Sequence, residues 1–285
     1  MFIFELLQRD ETPPMDPHTG PERFPALTNS PALELDRVTR RFPARHTHLP
    51  WFTAIQSLSF TVAQGEFVSV VGPSGCGKST ILNLVAGLDH PTEGAVRLAG
   101  QTVTGPSQHV GFMLQKDLLL PWRTIRHNVE FGLETRGLTA EARRDRAAEE
   151  LRRCRLGEFG DRYPHQLSGG QRQRAALART LAIEPDVVLL DEPFSALDAQ
   201  TKLVLQRGFA ETIATSGITT LRITHDLSEA VAMSDRILVM SERPGRIVED
   251  ITVDMPHRDN PLARQSLGRA RELMAHLFED RKSVV

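Results

Sequence analysis

The chain contains no run approaching the ~18–20 apolar residues that span a bilayer, so any service to a membrane is expected from its surface. Cysteine is scarce. Cys76 and Cys154 are too few for a disulfide framework, and reduced thiols in a cytosolic compartment are expected. Neither charge dominates: a formal net charge of -2 over 285 residues gives no electrostatic case for nucleic acid or an anionic membrane surface. The start, Met1-Phe2-Ile3-Phe4-Glu5-Leu6-Leu7, has no basic residue, a carboxylate in its middle and no small-residue cleavage site, so it does not read as a secretory signal. Internal repeats are absent too. What is present is ordinary globular composition, 40% hydrophobic and 25% charged, enough for one large domain or one and a half.

Residues 1–31 carry six prolines among acidic and polar residues and read as a disordered tail, with Met15 as an alternative start. Residues 32–38 alternate apolar and polar, as a half-exposed strand does, and Ile55 to Val62 is a second such strand. Residues 43–52 between them look like a loop. Its His46 and His48 lack cysteine or carboxylate support, which favours solvated side chains over a metal site.

The chain is organised around Gly72-Pro73-Ser74-Gly75-Cys76-Gly77-Lys78-Ser79-Thr80. A β-branched apolar run, 66–71, precedes it, and apolar residues at helical spacing follow it from Ile81 to Leu88. Strand, glycine-rich turn and helix fit the phosphate-cradling loop G-x-x-x-x-G-K-[ST]. Backbone N–H groups must converge on one point there, and side chains would block the approach. The helix start adds free N–H groups and a partial positive charge. Lys78 would reach the β- and γ-phosphates, and the Ser79 hydroxyl would ligate Mg²⁺. Cys76 lies inside the loop, so bound Mg-ATP is expected to slow its alkylation.

Downstream, 95–98 and 110–114 read as strands, the latter ending on Gln115. Helical spacing then covers 124–136, 140–153 and 171–183, a candidate subdomain. Val187-Val188-Leu189-Leu190 is a buried strand that closes on Asp191 and Glu192. Two solvated acids would end a strand the same way. With a phosphate loop upstream, Asp191 is expected to hold Mg²⁺ and Glu192 to polarise the attacking water as general base. Helices are expected at 202–216, 227–233 and 262–279, and strands at 219–224, 237–240 and 246–249. Leu167-Ser168-Gly169-Gly170-Gln171 places a serine and two glycines just before a helix. Ser168 could be a simple cap; the stretch is equally a second anion-ready helix start.

The order of phosphate loop, Leu-Ser-Gly-Gly-Gln, then apolar strand plus Asp-Glu resembles the ATP-binding-cassette (ABC) ATPases over about residues 33–255. The fold this implies is α/β: a P-loop NTPase (RecA-like) core with an antiparallel β subdomain and an inserted helical subdomain. The implied domains are a tail at 1–31, an ATPase domain at 32–255 with its helical part at about 119–174, and a C-terminal helical extension at 256–285. In that family two cassettes dimerise head to tail, and each ATP lies between one subunit's phosphate loop and its partner's signature. The resemblance therefore implies that Ser168, Gly169, Gly170 and Gln171 contact nucleotide held by a second copy. It further implies that Phe42 stacks on adenine, that Gln115 contacts Mg²⁺ and the attacking water, that Asp198 lies in a loop crossing the dimer interface, and that His225 contacts the γ-phosphate. Without the family, His225 is an ordinary strand-end histidine.

A narrower resemblance runs through Leu119-Leu120-Pro121-Trp122-Arg123-Thr124, residues 191–201 and Ser241-Glu242-Arg243-Pro244-Gly245-Arg246-Ile247. These look like the importer ATPases for nitrate, sulfonate, taurine and related solutes. Implied partners are a second copy, transmembrane permease subunits and, indirectly, a solute-binding protein, with the chain on the cytoplasmic face of the inner membrane. The Leu-Pro-Trp stretch would help form a groove for a permease helix. Rival readings are an exporter ATPase, or a non-transport ATPase of repair or translation. The short insert and the single cassette oppose the non-transport reading.

Overall fold

The computed structural model describes residues 30–43, 50–195, 199–256, 260–265 and 267–283. The expectations for 1–29, for His46 and His48, and for Ala196, Leu197 and Asp198 fall outside these residues.

The described strands form two sheets. β1 (Leu33–Pro43), β2 (Trp51–Val62), β4 (Glu93–Leu98) and β5 (Gln101–Thr102) form an antiparallel sheet in the order β2-β1-β4-β5. A six-stranded sheet takes β3 (Phe67–Val71), β6 (Val110–Met113), β7 (Val187–Asp191), β8 (Thr219–Ile223), β9 (Arg236–Met240) and β10 (Ile247–Thr252) in the order β10-β9-β3-β8-β7-β6. The strands from β9 to β6 run parallel, and β10 pairs antiparallel at the edge.

Both faces of the parallel strands are buried, which is why they read as continuous apolar runs. Successive residues alternate between two cores. Val68, Val70, Val187 and Leu189 pack with the antiparallel sheet and with α1 (Lys78–Val85). Phe67, Val188 and Leu190 pack on the other face with α2 (Ile125–Glu130), α3 (Ala140–Arg153), α4 (Gly169–Ala182) and α5 (Ala199–Ser216). A third cluster joins α6 (Leu227–Met233) to Val71 of β3, Ile237 of β9 and Ala270 of α8 (Gly268–Ser283), which follows the short α7 (Pro261–Gln265). Among the described residues, no helix is long and apolar enough to cross a membrane.

Three local expectations change. Trp51 and Phe52 are not loop: they pair with Pro43 and Phe42, extending β2 by four residues before Ile55. The helix expected over 124–136 ends at Glu130 and continues as a 3-10 turn, Phe131–Leu133. The single helix expected over 262–279 is two, α7 and α8.

Candidate functional site

The phosphate loop leaves β3 and enters α1 through Gly77, whose φ of 105° is left-handed and whose missing Cβ would lie 2.5 Å from Ile55 Cγ2. Only glycine fits there without strain. No side chain caps α1, so its first N–H groups face the loop. Lys78 is buried, and its ammonium donates to the carbonyls of Gly72 (2.8 Å) and Pro73 (2.7 Å). Its third direction meets the Cys76 sulfur at 3.9 Å, a weak acceptor that a phosphate oxygen would outcompete.

Cys76 itself is 1% exposed, facing Met240 Sδ at 4.0 Å, and burial pushes its thiol up. A buried, protonated thiol reacts slowly, so the expected protection by Mg-ATP would be read against a low starting rate.

Asp191 ends β7 beside the loop, within hydrogen-bonding reach of the Ser79 hydroxyl. Burial pushes its carboxyl up; the Ser79 hydroxyl opposes this, Glu192 adds to it, and Lys78 opposes it again. A hydroxyl and a carboxylate side by side are hard oxygen donors that suit Mg²⁺. Among the described residues, no cluster of three or more His, Cys, Asp or Glu could hold a metal unaided. A divalent ion here would take its remaining ligands from phosphate and water.

Glu192 is where three strand ends meet. Its Oε1 lies 3.1 Å from His225 Nδ1, just past β8, and its Oε2 accepts from Gln115 Nε2 at 3.3 Å, just past β6. Its φ is 45°, a left-handed conformation in a non-glycine residue that costs on the order of 1–3 kcal/mol. The Glu192 N–H donates to Ile223 O (3.1 Å), and the Ser195 N–H and hydroxyl both donate to Glu192 O (3.2 and 3.0 Å), which hold it there. Gln115 also donates to the Ser195 hydroxyl at 3.1 Å.

The signature stretch starts α4. The Ser168 hydroxyl accepts from Gln171 N (3.3 Å) while Gln171 Oε1 accepts from Ser168 N (2.8 Å), a reciprocal cap. The cap reading of Ser168 and the ligand reading are compatible, because the hydroxyl keeps its own hydrogen to donate. Gly169 and Gly170 form the first turn of α4. Side chains of α4 grip the segment after Gln115. Arg172 Nε meets Asp117 Oδ2 at 3.1 Å, Arg179 donates to the carbonyls of Asp117 and Leu118 (both 2.7 Å), and Gln173 Nε2 donates to Gln115 O at 3.4 Å.

Phe42 stacks on Phe52 with ring centroids 5.5 Å apart, and Arg40 lies 4.5 Å from its ring centre. Phe52 in turn meets Arg243, which donates to Gly75 O. Sequence reasoning missed Phe52 and Arg243 as parts of this site. Strand pairing alone could have suggested Phe52, opposite Phe42; nothing local to Arg243 points to the loop. The structure gathers Lys78, Ser79, Asp191, Glu192, Gln115 and His225 in one place, and gives Ser168–Gln171 a separate turn whose side-chain bonds close on themselves.

Comparison with known proteins agrees with this geometry. The family described as ABC transporter matches residues 55–195. An uncharacterised ABC transporter ATP-binding protein of Methanocaldococcus jannaschii is 45% identical over 235 residues, 82% of this chain and 86% of that protein. The nitrate import ATP-binding protein of a Synechocystis strain is 42% identical, covering 79% and 83%. The taurine import ATP-binding protein of Chromobacterium violaceum is 40% identical, covering 88% and 97%. Among solved structures, a dimeric ATP-binding cassette in a post-hydrolysis state, bound to ADP and Pi, is 32% identical with a TM-score of 0.68, over 78% of this chain and 99% of that one. With a phosphate loop, an Asp-Glu strand end and a Leu-Ser-Gly-Gly-Gln helix start set on this two-sheet frame, the chain belongs to the ABC transporter family of ATP-binding proteins.

Proposed function

We propose that this chain is the ATP-hydrolysing subunit of an importer for a small anion or sulfonate, of the kind that takes nitrate or taurine, working as a head-to-tail dimer on the cytoplasmic face of the membrane. The relatives named for nitrate and taurine import support the solute class, and the dimeric cassette supports the assembly. Residues 32–255 would be the ATPase unit.

One observation carries the chemistry: Glu192 held between His225 and Gln115 beside the phosphate loop. A carboxylate fixed by two neighbours is oriented before substrate arrives, which lowers the cost of positioning water for attack. The glycine amides, Lys78 and a partner's Ser168 would stabilise charge on the transferring phosphoryl group. Ser79 and Asp191 would hold Mg²⁺, with Gln115 at its side, and the ion would neutralise the β- and γ-oxygens. Binding energy that differs between the ATP and ADP states can then drive the permease. The permease would rest on the outer surface around Trp122, which is 71% exposed, and Leu118 and Phe131, apolar side chains on either side of it in sequence, are exposed as well.

The test is Glu192→Gln. It removes the base and keeps the shape. The variant is expected to bind ATP normally and to release phosphate about 10²–10⁴-fold more slowly. Near-normal turnover would take Glu192 out of the role.

A further inference from the structure

We propose that Arg243 is a nucleotide-positioning residue that fixes the base end of ATP. The proposal rests on the reading of the phosphate loop as an ATP site.

Arg243 sits in the turn between β9 and β10, and that turn is locked onto the site. Gly245 N donates to Ala54 O (2.9 Å), Gln56 N donates to Gly245 O (3.0 Å), and Ser241 N donates to Arg246 O (3.0 Å). A Cβ on Gly245 would lie 2.0 Å from Cys76 O, so the turn and the phosphate loop touch backbone to backbone. From this anchored turn the Arg243 side chain reaches across the loop. Its Nε and one terminal nitrogen donate to Gly75 O at 3.2 and 3.0 Å. The guanidinium carbon is 5.0 Å from the centre of the Phe52 ring.

Phe52 is the inner end of a ladder. Phe42 stacks on it at 5.5 Å with 27° between planes, Arg40 lies 4.5 Å from Phe42, and Asp89 holds Arg40 through contacts of 2.7 and 2.9 Å. The ladder is therefore tied down at both ends, to Asp89 and to Gly75. Among the described residues, Arg243 is the side chain that touches both the loop and the aromatic pair, and no carboxylate neutralises it.

A nucleotide whose phosphates lie on the loop must place its base within a ribose's length, on the side where flat apolar surface is offered. Phe52 is 37% exposed there, and Arg243 is exposed beside it. A guanidinium is planar, weakly hydrated and stacks on aromatic faces as well as hydrogen-bonding, so it can continue the ladder onto a purine. Lysine has the charge but not the plane. Phe52 alone has the plane but no hold on the loop. The contribution belongs to ground-state binding, which is shared with the transition state and so appears in KM rather than kcat.

The experiment compares two ligands, Mg-ATP and inorganic tripolyphosphate, titrated by calorimetry against wild type, Arg243→Ala, Arg243→Lys, Phe52→Ala and the double variant, with melting curves as a fold check. Arg243→Ala is expected to weaken Mg-ATP about 10-fold and tripolyphosphate less than about 2-fold, and to raise KM with kcat within about 2-fold of wild type. Arg243→Lys should recover only part of the loss. Phe52→Ala should cost a similar factor, and the double variant no more than the larger single loss, because the pair acts as one surface. Equal weakening of both ligands would mean that Arg243 serves the phosphates or the loop alone, and would overturn the proposal; so would unchanged ATP affinity. Lys78→Ala separates the underlying reading. If that variant binds both ligands as wild type does, the ATP-site reading falls. If it loses them while Arg243→Ala loses nothing, only the role of Arg243 falls.

Discussion

At the residue scale, the polar and ionisable side chains are placed by two different routes. Lys78, Ser79 and Asp191 come with their own backbone: a loop motif and a strand end deliver them whatever else the fold does. They were legible in the sequence for that reason. Cys154 was not. It lies at the C-terminal end of α3, 5% exposed, and burial pushes its thiol up to about 12 from an ordinary 9.0, with Glu150 adding to the shift. The protonated form is the neutral one, so the folded state resists ionisation while the unfolded chain does not. Stability from this group is level below pH 9 and is lost as pH climbs towards about 12, at up to about 1.4 kcal/mol per pH unit. Urea unfolding of wild type and Cys154→Ala from pH 8 to 11 should show a steeper alkaline decline for wild type. Parallel curves would place the thiol in contact with water.

At the element scale, the segment from Gln115 to Thr124 looks irregular in sequence because its order comes from elsewhere. Asn128 of α2 is fully buried and staples it. Its Oδ1 accepts from Leu120 N (2.7 Å), and its Nδ2 lies within 3.0–3.1 Å of the carbonyls of Leu120, Arg123 and Thr124. Sequence periodicity records Asn128 only as a polar residue in a helix, so this role had no local signature. Asn128→Leu keeps the branched shape and strips the bonds. It is expected to destabilise the fold by about 2 kcal/mol, from stranded buried backbone groups, and to weaken co-purification with a membrane permease. A urea midpoint unchanged from wild type would show that the segment holds its shape without the staple.

Elements whose pattern was local were read closely: α3 and α6 begin and end where helical spacing placed them. The misread ones depend on partners. Trp51 and Phe52 sit beside residues 44–49 with no strand pattern of their own, and join β2 because Phe42 and Pro43 lie across from them. The closing helix divides into α7 and α8 while Arg264 turns inward, a 1% exposed side chain donating to Ser234 O (2.7 Å) and Met255 O (2.8 Å), partners that helical spacing does not reveal.

For the whole molecule, the decisive matter is that Ser168–Gln171 and the phosphate loop are carried on different parts of one chain, the first with a reciprocal cap and the second with its helix start uncapped. A composite site across two copies is expected. Mixing a Lys78→Ala subunit with a Ser168→Arg subunit should yield heterodimers with one intact site and one doubly broken site, while both parent homodimers hold none. Phosphate release from purified heterodimer, with silence from each parent, is the expected result. Silence from all three would refute sharing in trans.

The grip of α4 on the neighbouring segment carries a mechanical implication. Arg172 and Arg179 clasp Asp117 and Leu118, and Asn128 ties the next few residues to the same bundle. The Trp122 segment and the Ser-Gly-Gly turn are thereby tied to one set of helices, so a displacement imposed on either is expected to be felt at the other.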